Sequence, residues 1–266
     1  MLNVGEKHTS VHHATMLYAA VHMDGVLRCS RYAFGPNRLH FCGPDASREI
    51  WDYVNDGYTD FGLQKLLMGF EALYPYLQHI AIENHIGDPF DPRVVEAYWL
   101  GNDLLAQVSK RALHTHLTDT FRLQDKYPGQ PYRTLENRIG RGLLPNHNHH
   151  VINVPHAMAG APSDNEPSFM DACRISWGTV TAVSGPSITI EYEPLYRIGD
   201  LLSLGNPIQK KLVRRLEADY DFDMLQPGQM VSMHWDIPCE VITKVEADRL
   251  RLHTLDAIRI ANVDKQ

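Results

Sequence analysis

Cys173–Val180 (CRISWGTV) and Gly228–His234 (GQMVSMH) are the two segments that decide the predicted fold of this chain. The first predicts a β-strand that follows a cysteine, because its polar and apolar residues alternate. The second predicts another strand, which follows a turn glycine and carries a histidine. A thiolate and an imidazole at strand ends are ligands that transition metals prefer. The two segments therefore predict a metal site in a β-structure.

Further strands are predicted around these segments. Arg174–Ser184 and Ser187–Tyr192 read as strands separated by a Gly-Pro turn at 185–186, and Met230–Trp235 reads as a later strand. Short strands separated by turn residues predict a small β-barrel. Apolar residues at helical spacing then predict a terminal helix over Val245–Asn262.

The amino-terminal half is predicted to be mainly α-helical. Apolar residues recur at helical spacing over Asp45–Asp56 and Tyr58–His85. Another helix is predicted to begin at Asp91 and Pro92, because aspartate favours the cap and proline the first helical position. Asn153–Pro167 is rich in Pro, Ala, Gly, Ser and Asn, which is typical of a linker.

These elements predict an α+β chain of two domains. Residues 1–165 are expected to form a mainly α-helical domain of unknown function. Residues 166–266 are expected to form a small, OB-like β-barrel domain that ends with a helix. A length of 266 residues and 44% hydrophobic content are sufficient for two modest cores.

Charge and composition exclude several classes of function. A net charge of -7 favours no nucleic-acid partner, because nucleic-acid sites are basic. The sequence lacks a run of about 18 apolar residues and an export signal, so we expect no membrane span and a cytoplasmic location. The four cysteines are expected to be free thiols in a reducing compartment.

The two opening segments resemble the HypC/HupF family of [NiFe]-hydrogenase maturation chaperones. That family has a cysteine with a glycine five residues later, as in Cys173 and Gly178, and a histidine six residues after a glycine, as in Gly228 and His234. The resemblance covers roughly a third of the chain and implies a HypC-like barrel. In that family the cysteine lies at the extreme amino terminus, whereas Cys173 is internal, so no free amino group can assist binding here.

The HypC/HupF resemblance also implies a cofactor and partners. It implies that Cys173 and His234 bind iron as Fe(CN)2(CO) in transit. The partners it implies are the hydrogenase large-subunit precursor, a HypD-like scaffold protein, or both. The whole chain also resembles the group DUF6390, through segments such as Arg31–Ala33 and Cys42–Asp45. That group is associated with hydrogenase gene neighbourhoods, which implies no activity.

A second candidate metal cluster lies in Pro145–Val151 (PNHNHHV). In an extended segment His147 and His149 would share one face, so they could present two imidazoles together. Cys42 lies in a turn-forming segment and could face the same pocket. The alternative interpretation of the cluster is a polar, histidine-rich loop.

The sequence favours a non-catalytic accessory factor for [NiFe]-hydrogenase maturation. Phosphate-binding glycine loops, nucleophile elbows and paired Cys-x-x-Cys zinc motifs are all absent from it. The alternative is a metal-dependent, non-haem iron oxidoreductase with its site in the helical domain, formed by His147, His149 and Cys42. A third alternative is a structural adaptor that has kept the barrel and lost its cargo.

Overall fold

The computed structural model describes residues 24–154, 167–213 and 225–263. These residues form eleven α-helices, a 3₁₀ helix, a π-helical segment and seven β-strands. Helices occupy the first part of the chain, and the strands follow it. The predicted α+β class is therefore confirmed. Most of the predicted linker and the predicted domain boundary at residues 165/166 lie outside the described residues, so the two-domain division stays a prediction.

Ten of the α-helices precede the sheet, and one follows it. In chain order they are α1 (Gly25–Asn37), α2 (Ser47–Asp56), α3 (Phe61–Met68), α4 (Leu73–Glu83), α5 (Pro92–Trp99), α6 (Lys110–Thr115), α7 (Leu123–Lys126), α8 (Gln130–Gly140), α9 (His147–Asn153), α10 (Pro167–Cys173) and α11 (Lys244–Val263). The 3₁₀ helix is Asp103–Gln107, and the π-helical segment is His116–Thr120. In the part of the chain that the structure describes, no helix combines the length and the apolar character needed to cross a membrane.

Two helix predictions are confirmed in detail. Helix α5 begins as predicted, because the Asp91 carboxylate accepts a hydrogen bond from the Arg93 N–H at 2.9 Å and Pro92 occupies the first turn. The terminal helix α11 spans Lys244–Val263, within two residues of the predicted range. Both predictions depend on local signals that tertiary contacts do not override.

The strands form one five-stranded antiparallel sheet and one two-stranded ribbon. The strands are β1 (Ser176–Ser184), β2 (Ser187–Tyr192), β3 (Leu195–Ile198), β4 (Leu201–Leu204), β5 (Ile208–Val213), β6 (Met230–His234) and β7 (Ile237–Val241). The five-stranded sheet has the order β5-β2-β1-β6-β7, and β3 pairs with β4. The predicted strand Ser187–Tyr192 and the turn before it are confirmed.

The predicted closed barrel is wrong for the described residues. Strands β5 and β7 are the two edges of the sheet and do not pair with each other. The chain between β2 and β5 instead forms the separate ribbon, and helix α1 packs on β6 and β7. Helices, rather than a closing strand, therefore cover the apolar surface at this end of the sheet.

One hydrophobic core joins the helical part to the sheet. The largest cluster of buried residues includes Tyr32 and Trp99 from helices, and Trp177 and Ile237 from strands. Tyr32 and Trp99 stack with their ring centroids 5.1 Å apart. This shared core holds α1 and α5 against the strands that carry the predicted metal ligands.

A buried polar network also fixes helix α1 to the sheet. The Tyr32 hydroxyl lies 2.6 Å from a carboxylate oxygen of Glu240 and 2.8 Å from the Ser232 hydroxyl. Arg28 donates to Glu240 at 2.9 Å. At Gly35 the helix approaches β6 so closely that a Cβ atom would lie 2.7 Å from the His234 carbonyl oxygen. The absence of a side chain at Gly35 thus allows α1 to lie directly beside His234.

Candidate metal centre

His234 lies at the end of β6 with one ring nitrogen free to bind a metal. Its Nδ1 lies 2.7 Å from the Tyr32 carbonyl oxygen, which can only accept a hydrogen bond. In the neutral ring Nδ1 is therefore protonated, and Nε2 carries the lone pair. Nε2 is buried and has no hydrogen-bond partner among the described residues. Metal-binding histidines have this arrangement, in which a carbonyl group fixes the tautomer from the other nitrogen.

Burial keeps the His234 ring neutral. It lowers the pKa of His234 to about 4, although two carbonyl groups oppose this shift: that of Tyr32, which accepts from Nδ1, and that of Cys173, which lies near the ring without hydrogen-bonding geometry. The imidazole is therefore available as a neutral ligand throughout the physiological pH range.

Cys173 is the last residue of α10, directly before the chain enters β1. The next residue, Arg174, is fully buried and donates two hydrogen bonds to the Asp171 carboxylate, at 2.7 and 3.0 Å. Asp171 also accepts from the Tyr192 hydroxyl at 3.0 Å and the Leu195 N–H at 2.9 Å. This network holds the turn that carries Cys173 in one position between helix and sheet.

The Cys173 thiol is protonated in the metal-free protein. Burial raises the pKa of this thiol far above its usual range, and the nearby Cys42 adds to the rise. A thiolate at this position therefore requires the positive charge of a metal ion.

Asn146 places His147 at the start of α9. The Asn146 side chain caps the helix by accepting from the Asn148 N–H at 3.0 Å. Its amide nitrogen also donates to the carbonyl oxygens of Ala97 and Tyr98, at 3.2 and 2.9 Å. The first turn of α9 is thereby attached to the end of α5.

Asn148 attaches the same turn to the start of the sheet. Its side-chain oxygen accepts from the Ile175 N–H at 2.7 Å, and its side-chain nitrogen donates to the Ile175 carbonyl oxygen at 2.9 Å. A third hydrogen bond, to the Thr254 hydroxyl at 2.9 Å, reaches α11. Asn148 is fully buried. It therefore sets the position of His147 relative to Cys173, a role that the sequence interpretation missed.

The structure brings His147, Cys173 and His234 together. One ligand atom from each residue lies within 4.8 Å of the other two. The three residues are 8%, 2% and 1% exposed, respectively. Two imidazoles and one thiolate suit ions such as iron, zinc, copper and nickel. The donor set and the unpartnered Nε2 of His234 together fit a transition metal.

A large cavity lies over the three residues. Its volume is about 910 Å³, and its lining includes all three together with Phe41, Cys42 and Tyr98. Three protein donors leave coordination positions open, and the cavity supplies space for further ligands on the metal.

Cys42 lines this cavity together with the cluster but is not one of its three members. The side chain of Asn37 holds the Cys42 loop by donating to the carbonyl oxygens of Cys42 and Pro44, at 2.8 and 2.7 Å. Burial raises the pKa of the Cys42 thiol to about 11. Its role as a metal ligand stays a prediction.

His149 is not one of the three clustered residues, and its role as a metal ligand stays a prediction. The expectation that it shares a face with His147 is wrong, because the segment is helical, and residues two apart on a helix are separated by about 200°. The His149 Nε2 atom instead lies 4.0 Å from the Asp256 carboxylate. Burial lowers the pKa of His149 to about 3.

Comparison with known proteins gives one result. The model of DUF6390, a family of unknown function, matches residues 21–266. The chain belongs to this family. The DUF6390 match contains the three clustered residues and Cys42, and it spans the helical and the strand-rich parts of the chain. No curated protein and no solved structure matches the chain. Nothing in these comparisons supports a HypC-like domain.

Proposed function

We propose that this DUF6390 protein is an accessory protein that binds a transition metal through His147, Cys173 and His234. The observation that carries this proposal is the burial of these three donors within 4.8 Å of one another at one cavity. An unpaired buried imidazole nitrogen is costly, and a metal ion on His234 Nε2 would relieve that cost.

We propose further that the cargo is iron in the form of Fe(CN)2(CO), carried during [NiFe]-hydrogenase maturation. An iron that already carries three small ligands needs few protein donors, and the site offers three donors and an open cavity. The spacing of Cys173 and His234 relative to their neighbouring glycines supports this cargo by resemblance only. The expected partners are the hydrogenase large-subunit precursor, a HypD-like scaffold protein, or both.

The second candidate function is a metal-dependent, non-haem iron oxidoreductase. One observation favours it: His147, a ligand candidate from the helical part, reaches the metal cluster, and the cavity would admit a substrate. The two functions differ in what the metal holds after purification. A carrier retains diatomic ligands, whereas an oxidoreductase retains water or substrate.

Infrared spectroscopy of the metal-bound CO and CN stretching region tests the proposal. The protein is purified anaerobically from a hydrogenase-producing host, beside a Cys173→Ala variant. Bands in the wild type that the variant lacks are expected for the carrier. Bound metal without such bands would instead favour the oxidoreductase, and a metal-free wild type would overturn the centre itself.

We expect metal affinity to rise with pH. The Cys173 thiol is protonated in the metal-free protein because burial raises its pKa. It must lose this proton to bind a metal. His234, with a pKa of about 4, is already neutral above pH 5. One proton is therefore released per metal, so affinity should rise about tenfold per pH unit between about pH 6 and 8. Competition titrations with a chelator of known pH dependence measure this slope. A pH-independent affinity would contradict thiolate binding.

A further inference from the structure

The hydrogen bonds of the two histidines define which ring nitrogens bind metal. The His147 Nε2 lies 2.8 Å from the Cys173 carbonyl oxygen, so in the neutral ring Nε2 is protonated and Nδ1 carries the lone pair. His234 has the opposite tautomer, because its Nδ1 donates to the Tyr32 carbonyl oxygen. A metal at this cluster would therefore bind Nδ1 of His147 and Nε2 of His234.

The Tyr98 hydroxyl forms a hydrogen bond with His147 Nδ1. The phenol oxygen is 3.2 Å from His147 Nδ1, which accepts its proton in the metal-free protein. Among the described residues, the Tyr98 hydroxyl makes no other hydrogen bond. The Tyr98 ring is buried between Trp99 and Tyr76, at centroid distances of 4.7 and 5.6 Å, and it lines the cavity. The ring is thus held in place, and its hydroxyl lies on the side of the His147 ring from which a metal on Nδ1 would approach.

We propose that Tyr98 donates a hydrogen bond to the small exogenous ligand that the metal carries, and this inference rests on the proposed metal centre. A metal on His147 Nδ1 would take the lone pair that the Tyr98 hydroxyl uses and would push the hydroxyl aside. The buried hydroxyl then needs another acceptor, since an unpaired buried donor is costly. A terminal atom of a small ligand on the same metal provides one. The ligand class that fits is a small metal ligand with a hydrogen-bond acceptor atom, of which azide is an example, and the phenol keeps its proton.

The test uses cobalt(II) as the metal and azide as the ligand. Tyr98→Phe removes the hydroxyl and keeps the ring. We expect this variant to bind cobalt with affinity within about threefold of wild type and to bind azide about ten- to a hundredfold more weakly, the range for hydrogen bonds to charged groups. Visible absorption reports both titrations. In wild type, transfer to D2O should also shift the infrared band of bound azide, and Tyr98→Phe should lose this shift.

Tyr76→Phe is the matched control. Tyr76 is equally buried, and its hydroxyl contacts His150 Nδ1 at 3.0 Å rather than the metal cluster. This variant should bind azide as wild type does. Unchanged azide affinity and an unchanged D2O shift in cobalt-loaded Tyr98→Phe would overturn the role of Tyr98 while leaving the metal centre intact. Failure of the wild type to bind cobalt would overturn both.

Discussion

Replacing Cys173 by serine is expected to reduce transition-metal affinity by more than about a hundredfold. The thiolate is the one anionic donor among the three clustered residues, and a buried serine hydroxyl is neither deprotonated nor a soft ligand. Metal content after dialysis and competition with a chromophoric chelator measure the loss. Because serine is smaller and similar in shape, the fold should remain intact, which circular dichroism can verify.

Cys239→Ser is the control for this substitution. Cys239 is also buried, at 1% exposure, but it lies in β7 and is not among the three clustered residues. Its replacement places a hydroxyl in the core without removing a proposed ligand, so metal affinity should stay near the wild-type value. Wild-type affinity in Cys173→Ser, or equal losses in both variants, would be incompatible with Cys173 as a ligand.

Replacing Asn148 by alanine is expected to lower the free energy of unfolding by about 3 kcal/mol. The substitution leaves the Ile175 N–H and carbonyl groups without the side chain that pairs with both of them, in a site closed to water. It also releases the start of β1 from α9, so His147 and Cys173 are no longer held together. Urea denaturation measures the first effect, and metal titration of the folded protein should show at least about tenfold weaker binding.

Two other variants provide stability changes with which the loss in Asn148→Ala can be compared. Thr254→Val removes one of the three Asn148 hydrogen bonds and should destabilise less, by about 1 kcal/mol. Asn55→Ala removes an exposed asparagine side chain and should change stability by less than about 0.5 kcal/mol. If Asn148→Ala were as mild as Asn55→Ala, the connection between α9 and β1 would not depend on Asn148.

The three clustered residues come from segments that are far apart in the chain. His147 begins α9, Cys173 ends α10, and His234 ends β6. A residue near each of the three makes a hydrogen bond to another part of the fold. Asn148 bonds Ile175 directly before β1, Asp171 accepts from Tyr192 in β2, and Tyr32 in α1 accepts from the His234 ring. A bound metal should therefore stabilise contacts between the helical part and the sheet.

The sequence by itself determined the elements that depend on local signals. The α5 start at Asp91 and Pro92, the strand Ser187–Tyr192 and the terminal helix all follow from capping, turn residues and periodicity. The sequence also indicated Cys173 and His234 as candidate ligands, through the resemblance of their spacing to the HypC/HupF family, and His147 through its cluster of histidines.

Only the tertiary structure decided which of these residues meet. The choice between His147 and His149 depends on whether a seven-residue segment is helix or strand, and so short a segment has too little periodicity to show this. The hydrogen bonds of Asn146 and Asn148 to distant backbone groups stabilise the helix there.

The alternation of polar and apolar residues likewise predicted the strands of the sheet, but it did not predict that the sheet stays open. Residue alternation specifies which side of a strand is apolar, whereas the element that covers this side is set by long-range packing, here of helix α1 on β6 and β7.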